Sequence, residues 1–261
     1  VGLVTLLSDF GSASPYPAEM KAVLRERCRA TPIDITHDIP AHDIAAGAYV
    51  LDVAAAAFPA GTVHLAVVDP GVGTSRLPLA IASGGHLFVG PDNGLLMVAA
   101  RRLGRPRAFA IDITRFMRRP MSATFHGRDV FAPAAAALAA GLPVERLGPR
   151  ASAPATLPVL LPRRDRRMLT GQVLYQDRFG NLITNIPAGW MEGRAPAIER
   201  PSGEVPARWA ATYADGGPGE VMLLSGSHGT LEIAVRNGRA SDLLALAPGG
   251  PVTIRITTHR M

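Results

Sequence analysis

Cysteine, lysine and aromatic residues are all scarce in this sequence. Its 261 residues include one cysteine, Cys28, which excludes an intramolecular disulfide and a cysteine-built zinc site. No apolar run reaches the roughly 18–20 residues that a membrane span needs. Val1–Leu7 is too short for a secretory signal and lacks its basic front, so a cytoplasmic protein with no membrane partner is expected. Charged residues make up only 18% and aromatics 5%. Apolar residues, by contrast, make up 48%, ample material for a core and the opposite of a disordered composition. The length suits one large domain or two small ones.

The formal charge of +6 and a pI near 10.4 raise the question of a nucleic-acid partner. Such a partner calls for clustered charge interleaved with aromatics. Of the 27 basic residues only Lys21 is a lysine, and abundant Arg, Ala, Gly and Pro together fit a GC-rich coding bias. The densest basic run, Arg163-Arg164-Asp165-Arg166-Arg167, lies between Pro162 and an apolar strand. It reads as a basic linker, and no nucleic-acid partner is expected.

The first 150 residues alternate short apolar runs with helical stretches. That pattern predicts an α/β domain with a mainly parallel central sheet flanked by helices. Strands are expected at Val1–Leu7, Ile33–Ile35, Val63–Val68, Leu79–Ala82, Leu87–Val89 and Ala108–Ile113. Helices are expected at Glu19–Arg29, Ile44–Ala57, Leu95–Arg102 and Val130–Ala140. A Pro/Arg-rich stretch over 151–168 marks a linker. Beyond it, 169–261 reads as a smaller antiparallel β domain: Thr170–Tyr175, Leu182–Ile186, Glu220–Leu224, Thr230–Val235 and Val252–Thr257 are strand-like, and Pro187–Gly219 is an irregular insertion.

Ligands of an open parallel sheet bind beyond the carboxyl ends of its strands. Asp9, Asp34 with His37, Asp69 and Asp92 each follow or end such a strand, while His126 precedes a helix. In Val67-Val68-Asp69-Pro70-Gly71-Val72-Gly73-Thr74-Ser75-Arg76, a carboxylate leaves a buried strand and an arginine returns seven residues later. The segment lacks the third glycine of a dinucleotide fingerprint and the lysine of a phosphate loop. What remains is a carboxylate and a guanidinium that a tight loop can bring together, either as a structural staple or as a reactive pair.

A series of motifs in order then carries a resemblance. Ser8-Asp9-Phe10-Gly11, Asp34-Ile35-Thr36-His37, Phe58-Pro59-x-Gly61-Thr62-Val63-His64, Val67–Arg76, Pro91-Asp92-Asn93-Gly94 and Thr124-Phe125-His126-Gly127-Arg128-Asp129 are followed by Asp177–Ile186 and Ser227-x-Gly229-x-Leu231-Glu232-Ile233-Ala234. Together they resemble the S-adenosyl-L-methionine (SAM) hydroxide adenosyltransferases, adenosine-forming SAM hydrolases related to fluorinase and chlorinase. The resemblance implies attack of an activated water on ribose C5′ of SAM, giving adenosine and L-methionine, with no metal or other cofactor.

By the same resemblance, Asp69, Arg76 and His126 handle the water, and Asp9 accepts hydrogen bonds from the ribose hydroxyls. Asp177 faces the methionine ammonium, Phe179 packs on apolar substrate surface and Asn181 reads the adenine edge. Ser227 and Glu232 complete the pocket, with the backbone near Val235 close to adenine. The domain over 1–150 would carry the catalytic residues and 169–261 would complete the site. A homotrimer with sites at subunit interfaces is implied as well. The halogenases carry tyrosine where Asp69 stands, which argues against a halide nucleophile. Ser14 replaces a usual aspartate, and His228 stands where relatives often have Asn or Arg. Two other readings stay open at this level: a metal-dependent hydrolase using Asp9, His37, Asp92, Asn93, His126 and Asp129, and a SAM- or adenosine-binding protein without catalysis.

Overall fold

The computed structural model describes residues 2–191, 195–200 and 202–257. Val1, at the head of the first expected strand, residues 192–194 and 201 within the expected insertion, and residues 258–261 lie outside that set. The chain divides into two compact units, 1–157 and 158–261.

In the first unit, β1 (Leu3–Ser8), α1 (Tyr16–Arg27), β2 (Thr31–Thr36), α2 (Ile44–Ala55), β3 (Val63–Val67), β4 (Pro78–Ser83), β5 (His86–Pro91), α3 (Met97–Leu103), β6 (Arg107–Ala110), α4 (Ile113–Phe116) and α5 (Ala132–Ala139) follow in order. The strands form one sheet in the order β2-β1-β3-β5-β4-β6. Every residue of β3 is buried, His64 among them, as in a strand covered on both faces. Val4, Leu6, Leu65 and Val67 share a core with Met20 and Leu24 of α1 and Ala135 of α5. On the opposite face, Leu7 and Val68 approach Gly47 of α2, where a Cβ would already sit 3.0 Å from Val68 and Leu95. Asp43 starts α2 by accepting the Ala46 N–H at 2.9 Å, an ordinary N-cap.

The sheet is mixed, which corrects the expectation of a mainly parallel one. The β1–β2, β1–β3 and β3–β5 pairs are parallel, but β4 runs antiparallel to both β5 and β6. The cause is local. Ser83 pairs with His86 across Gly84-Gly85, whose φ values are 56° and 82°. Two successive left-handed residues make a two-residue hairpin, so the chain turns straight back on itself instead of crossing over. The expected strand over Ala108–Ile113 also stops at Ala110, and Asp112 caps the short α4 by accepting the Thr114 N–H.

The second unit contains β7 (Arg163–Arg164), β8 (Met168–Gln176), β9 (Leu182–Pro187), β10 (Ala195–Arg200), β11 (Gly203–Pro206), β12 (Arg208–Trp209), β13 (Val221–Ser225), β14 (Thr230–Val235), α6 (Ala240–Leu244) and β15 (Pro251–Thr257). The sheet path is β11-β10-β15-β8-β9-β14-β13-β12, with β7 beside β8. It curls into a nearly closed, barrel-like form around Leu169, Val173, Leu182, Ile198, Leu223, Ile233 and Ile254. All its pairs are antiparallel except β12–β13. Two expectations change here. The linker ends in a strand, β7, and the insertion at 187–219 holds β10, β11 and β12. These strands are short and carry Pro196 and Pro206, which weakens their signal in sequence but is tolerated toward a sheet edge.

Candidate functional site

The parallel strands deliver their carboxyl ends to one edge of the first sheet. Asp9 follows β1, His37 follows β2, Asp69 lies two residues past β3, and Asp92 follows β5. Asn93 braces the approach to Asp69: its Nδ2 donates to the Val68 carbonyl at 2.8 Å. The chain then folds tightly. Val72 N–H donates to the Asp69 carbonyl at 3.2 Å and Thr74 N–H to the Gly71 carbonyl at 3.2 Å. Gly73 has φ 78° and would place a Cβ 3.0 Å from the Ala123 carbonyl oxygen, so both its conformation and its neighbour call for glycine.

This turn returns Arg76 onto Asp69. Arg76 Nε donates to Asp69 Oδ1 at 2.9 Å, and Arg76 Nη2 donates to Asp69 Oδ2, the two-pronged pairing that fits a planar guanidinium to a carboxylate. The Asp69 side chain is 5% exposed and that of Arg76 10%. Nη2 also meets Nδ1 of His126 at 2.9 Å, and the guanidinium lies over the Phe131 ring at 5.1 Å. Asp69, Arg76 and His126 therefore form one connected set.

The Arg76–His126 contact settles a proton. A guanidinium has donors only, so Nδ1 of His126 is the acceptor and a neutral imidazole carries its hydrogen on Nε2. Burial lowers the His126 pKa, and the Arg76 charge lowers it further against the opposing pull of Asp69 and Asp129. The neutral Nε2–H form is the one this environment favours.

His126 enters a π-helical turn over Gly127–Phe131 that leads into α5, in place of the plain helix expected from Val130. Such turns recur at functional sites. This one is clamped by Asp129, fully buried, which takes Arg128 Nε at 2.7 Å, Arg128 Nη2 at 2.8 Å and the Ser122 N–H at 2.8 Å. Burial pushes the Asp129 carboxyl up, but the Arg128 and Ser122 hydrogen bonds outweigh it and hold the group below its ordinary value. Arg128 extends to Glu19 of α1 at 2.8 Å. Sequence reasoning named Asp129 only as a candidate metal ligand and did not single out this bracing, because a carboxylate just before an expected helix looks like an ordinary cap.

Asp9 accepts the His42 N–H at 2.9 Å. His37 is buried; its Nδ1 meets Ser8 Oγ at 2.8 Å and its Nε2 lies 3.1 Å from Asp34. Asp92 accepts the Ala155 N–H at 2.7 Å. Among the described residues, no group of three or more His, Cys, Asp or Glu side chains is arranged to hold a metal ion, and no helix is long and apolar enough to cross a membrane.

In the second unit a cavity of about 830 Å³ is lined by Asp177, Phe179, Asn181, Tyr213, Val235 and Arg236, among others. It gathers four of the expected substrate-binding positions. Glu232 joins them indirectly, accepting the Tyr213 hydroxyl at 2.5 Å; burial and that bond raise the Tyr213 pKa. Ser227 does not line this cavity and lies exposed in the turn between β13 and β14. Tyr213 and Arg236 were missed, Tyr213 because it sits in the stretch that reads as irregular.

The fold and these sites define a class. Residues 4–148 match the SAM hydroxide adenosyltransferase N-terminal domain and residues 171–253 the corresponding C-terminal domain, so the chain belongs to the SAM hydroxide adenosyltransferase family. Among its relatives is a protein of Salinispora tropica named (R)-S-adenosyl-L-methionine hydrolase, 44% identical over 94% of this chain and 95% of that protein. A protein of the same name from Thermus thermophilus is 43% identical over 96% of this chain and 98% of its own length. A fluorinase from an Actinoplanes species is more distant, 26% identical over 70% of this chain and 71% of that protein. The solved structure of an uncharacterized conserved protein from Thermotoga maritima superposes with a TM-score of 0.90 at 35% identity, covering 97% of this chain and 99% of that one.

Proposed function

We propose that the protein hydrolyses SAM to adenosine and L-methionine. The observation that carries this reading is the connected Asp69–Arg76–His126 set, within a chain whose relatives at 43–44% identity are named for that hydrolysis. In the proposed step, a water oxygen forms a bond to C5′ while the C5′–S bond breaks. Its electron pair goes to sulfur, giving a neutral thioether, and one proton leaves the water. A sulfonium departs without acid assistance, so positioning and easing that proton loss are what remain for the protein.

The roles follow from the donors and acceptors. Each Asp69 oxygen spends one acceptor site on Arg76 and keeps another for a water hydrogen. The Nε2–H of His126 can donate to the water oxygen, but this tautomer has no lone pair left on Nε2. We therefore assign proton acceptance to Asp69, orientation to His126, and stabilisation of developing hydroxide charge to Arg76. Asp9 is assigned to the ribose hydroxyls, and the cavity lined by Phe179, Asn181 and Val235 to the adenosyl group, with Ser227 and Glu232 at its periphery. The reading includes a homotrimer, which rests on the family resemblance, and the cytoplasmic setting expected from the sequence, and it requires no metal.

Turnover in ¹⁸O-labelled water tests substrate, nucleophile and broken bond together. Label is expected in the 5′-hydroxyl of adenosine, and unlabelled adenosine would rule the mechanism out.

A further inference from the structure

The loop between β8 and β9 carries Asp177 and Asn181, and its hydrogen bonds bear on what each can do. Family resemblance assigns Asp177 to the methionine ammonium. Here its carboxylate is engaged by its own loop. Oδ1 accepts the N–H groups of Phe179 and Asn181, each at 2.9 Å. Oδ2 accepts Nδ2 of Asn181 at 3.0 Å. Of the roughly four acceptor sites on a carboxylate, three are taken within five residues of chain.

The loop has little freedom to rearrange. Gly180 has φ 85°, and a Cβ there would fall 2.6 Å from Cβ of Arg239. Arg239 donates to the Arg178 carbonyl at 3.1 Å, and Ser241 N–H to the Gly180 carbonyl at 3.2 Å. The Asn181 side chain itself is buried, the residue being 7% exposed.

Resting on the adenosine-forming reading above, we propose that Asp177 is a positioning residue that selects the base by fixing the Asn181 amide. An ionised carboxylate accepts and never donates, so Asn181 must turn its nitrogen, and not its oxygen, toward Oδ2. That leaves Oδ1 and the second hydrogen of Nδ2 for the cavity. An acceptor beside a donor matches adenine, which presents a donor at its 6-amino group next to an acceptor ring nitrogen, the pairing asparagine makes with adenine elsewhere. Hypoxanthine carries a carbonyl at position 6, which would set oxygen against oxygen. With the amide free to rotate, Asn181 could present two donors instead and the distinction would go. Asp177 is thus the group that makes Asn181 a reader of adenine rather than of purines in general.

The test is calorimetric binding of adenosine and of inosine to the full chain, before and after Asp177→Asn. Wild-type protein should prefer adenosine by about tenfold to a hundredfold, the usual range for one well-matched base contact. In D177N the new amide can turn its own nitrogen toward residue 181. Asn181 then flips, and the preference should fall at least tenfold or invert. Asp177→Ser, whose hydroxyl can still accept a backbone N–H but does not reach as far as Oδ2, should also lower the ratio, and it serves if D177N melts early. Equal weakening of both nucleosides, or a lost affinity for L-methionine with the nucleoside ratio unchanged, would overturn the proposal. If the wild-type protein binds neither nucleoside, the adenosine-forming reading itself fails and takes this inference with it.

Discussion

Replacing Arg76 separates the proposed chemistry from structural stapling. Arg76→Ala removes both bonds to Asp69, the bond to Nδ1 of His126 and the cation over Phe131. Withdrawing one partner of a pair this buried costs about 3–5 kcal/mol where the remaining charge stays dry, so Arg76→Ala should also lower thermal stability. Arg76→Lys is the sharper variant. Lysine keeps the charge, but its single ammonium cannot reproduce the planar fork, so stability should largely return while turnover does not. Loss of one preorganised group at a developing charge is worth about 2.7–4 kcal/mol, or 10²–10³ in kcat. We expect a drop of that size in both variants, read by chromatography of adenosine at saturating SAM.

A second readout ties the drop to His126. Arg76 lowers the His126 pKa while Asp69 and Asp129 raise it. Without the guanidinium, the two carboxylates oppose burial alone, and the His126 titration followed by NMR should move upward. Wild-type kcat in Arg76→Lys, or an unmoved His126 titration in Arg76→Ala, would refute the reasoning.

A buried histidine and the assembly state supply two further tests. His64, fully buried with Nδ1 on Thr5 and Nε2 on His86, has its pKa lowered to about 3 by burial and then by the neighbouring His86. The unfolded chain takes up a proton near pH 6.5 that the folded chain refuses, so stability is full above that pH and falls as pH drops, by about 1.4 kcal/mol per unit. Between pH 6.5 and 5 the loss from His64 is about 1.6 kcal/mol by urea unfolding. His64→Gln should flatten this slope, and an unchanged slope would show that the buried imidazole does not titrate as argued. Light scattering in solution should give the mass of three chains; a monomer that turns over SAM would remove the trimer from the reading.

The motifs around Asp69, Arg76 and His126 were legible because each is a short local pattern whose spacing limits its geometry: a buried strand, a tight turn, a returning side chain. Strand and helix positions in the first unit were readable for the same reason, as apolar runs bounded by glycine, proline and aspartate. The reversal at Gly84-Gly85 was also written in the sequence, but an apolar run shows no direction, and the alternation of strands and helices favoured a parallel reading. The strands β10 to β12 were not legible. Such short segments, two of them carrying proline, owe their conformation to the strands they pair with, and the β10–β15 pairing that ties β10 and β11 into the sheet joins residues about sixty positions apart.

The family and the two-part division of texture can be read from the amino-acid order alone, and the same motifs name the side chains proposed to act on a sulfonium substrate. How those side chains are wired depends on contacts between distant parts of the chain. Hydrogen-bond direction depends on which atoms meet, and it is the meeting of Arg76 with Nδ1 that makes His126 a donor. Likewise, the sequence placed Asp177 four residues before Asn181, but the closed loop alone turns that carboxylate onto the amide. The scarcity of cysteine and lysine left the identity of the reacting groups open. Contact between Arg76, Asp69 and a histidine fifty residues beyond the arginine is what the proposed division of roles rests on.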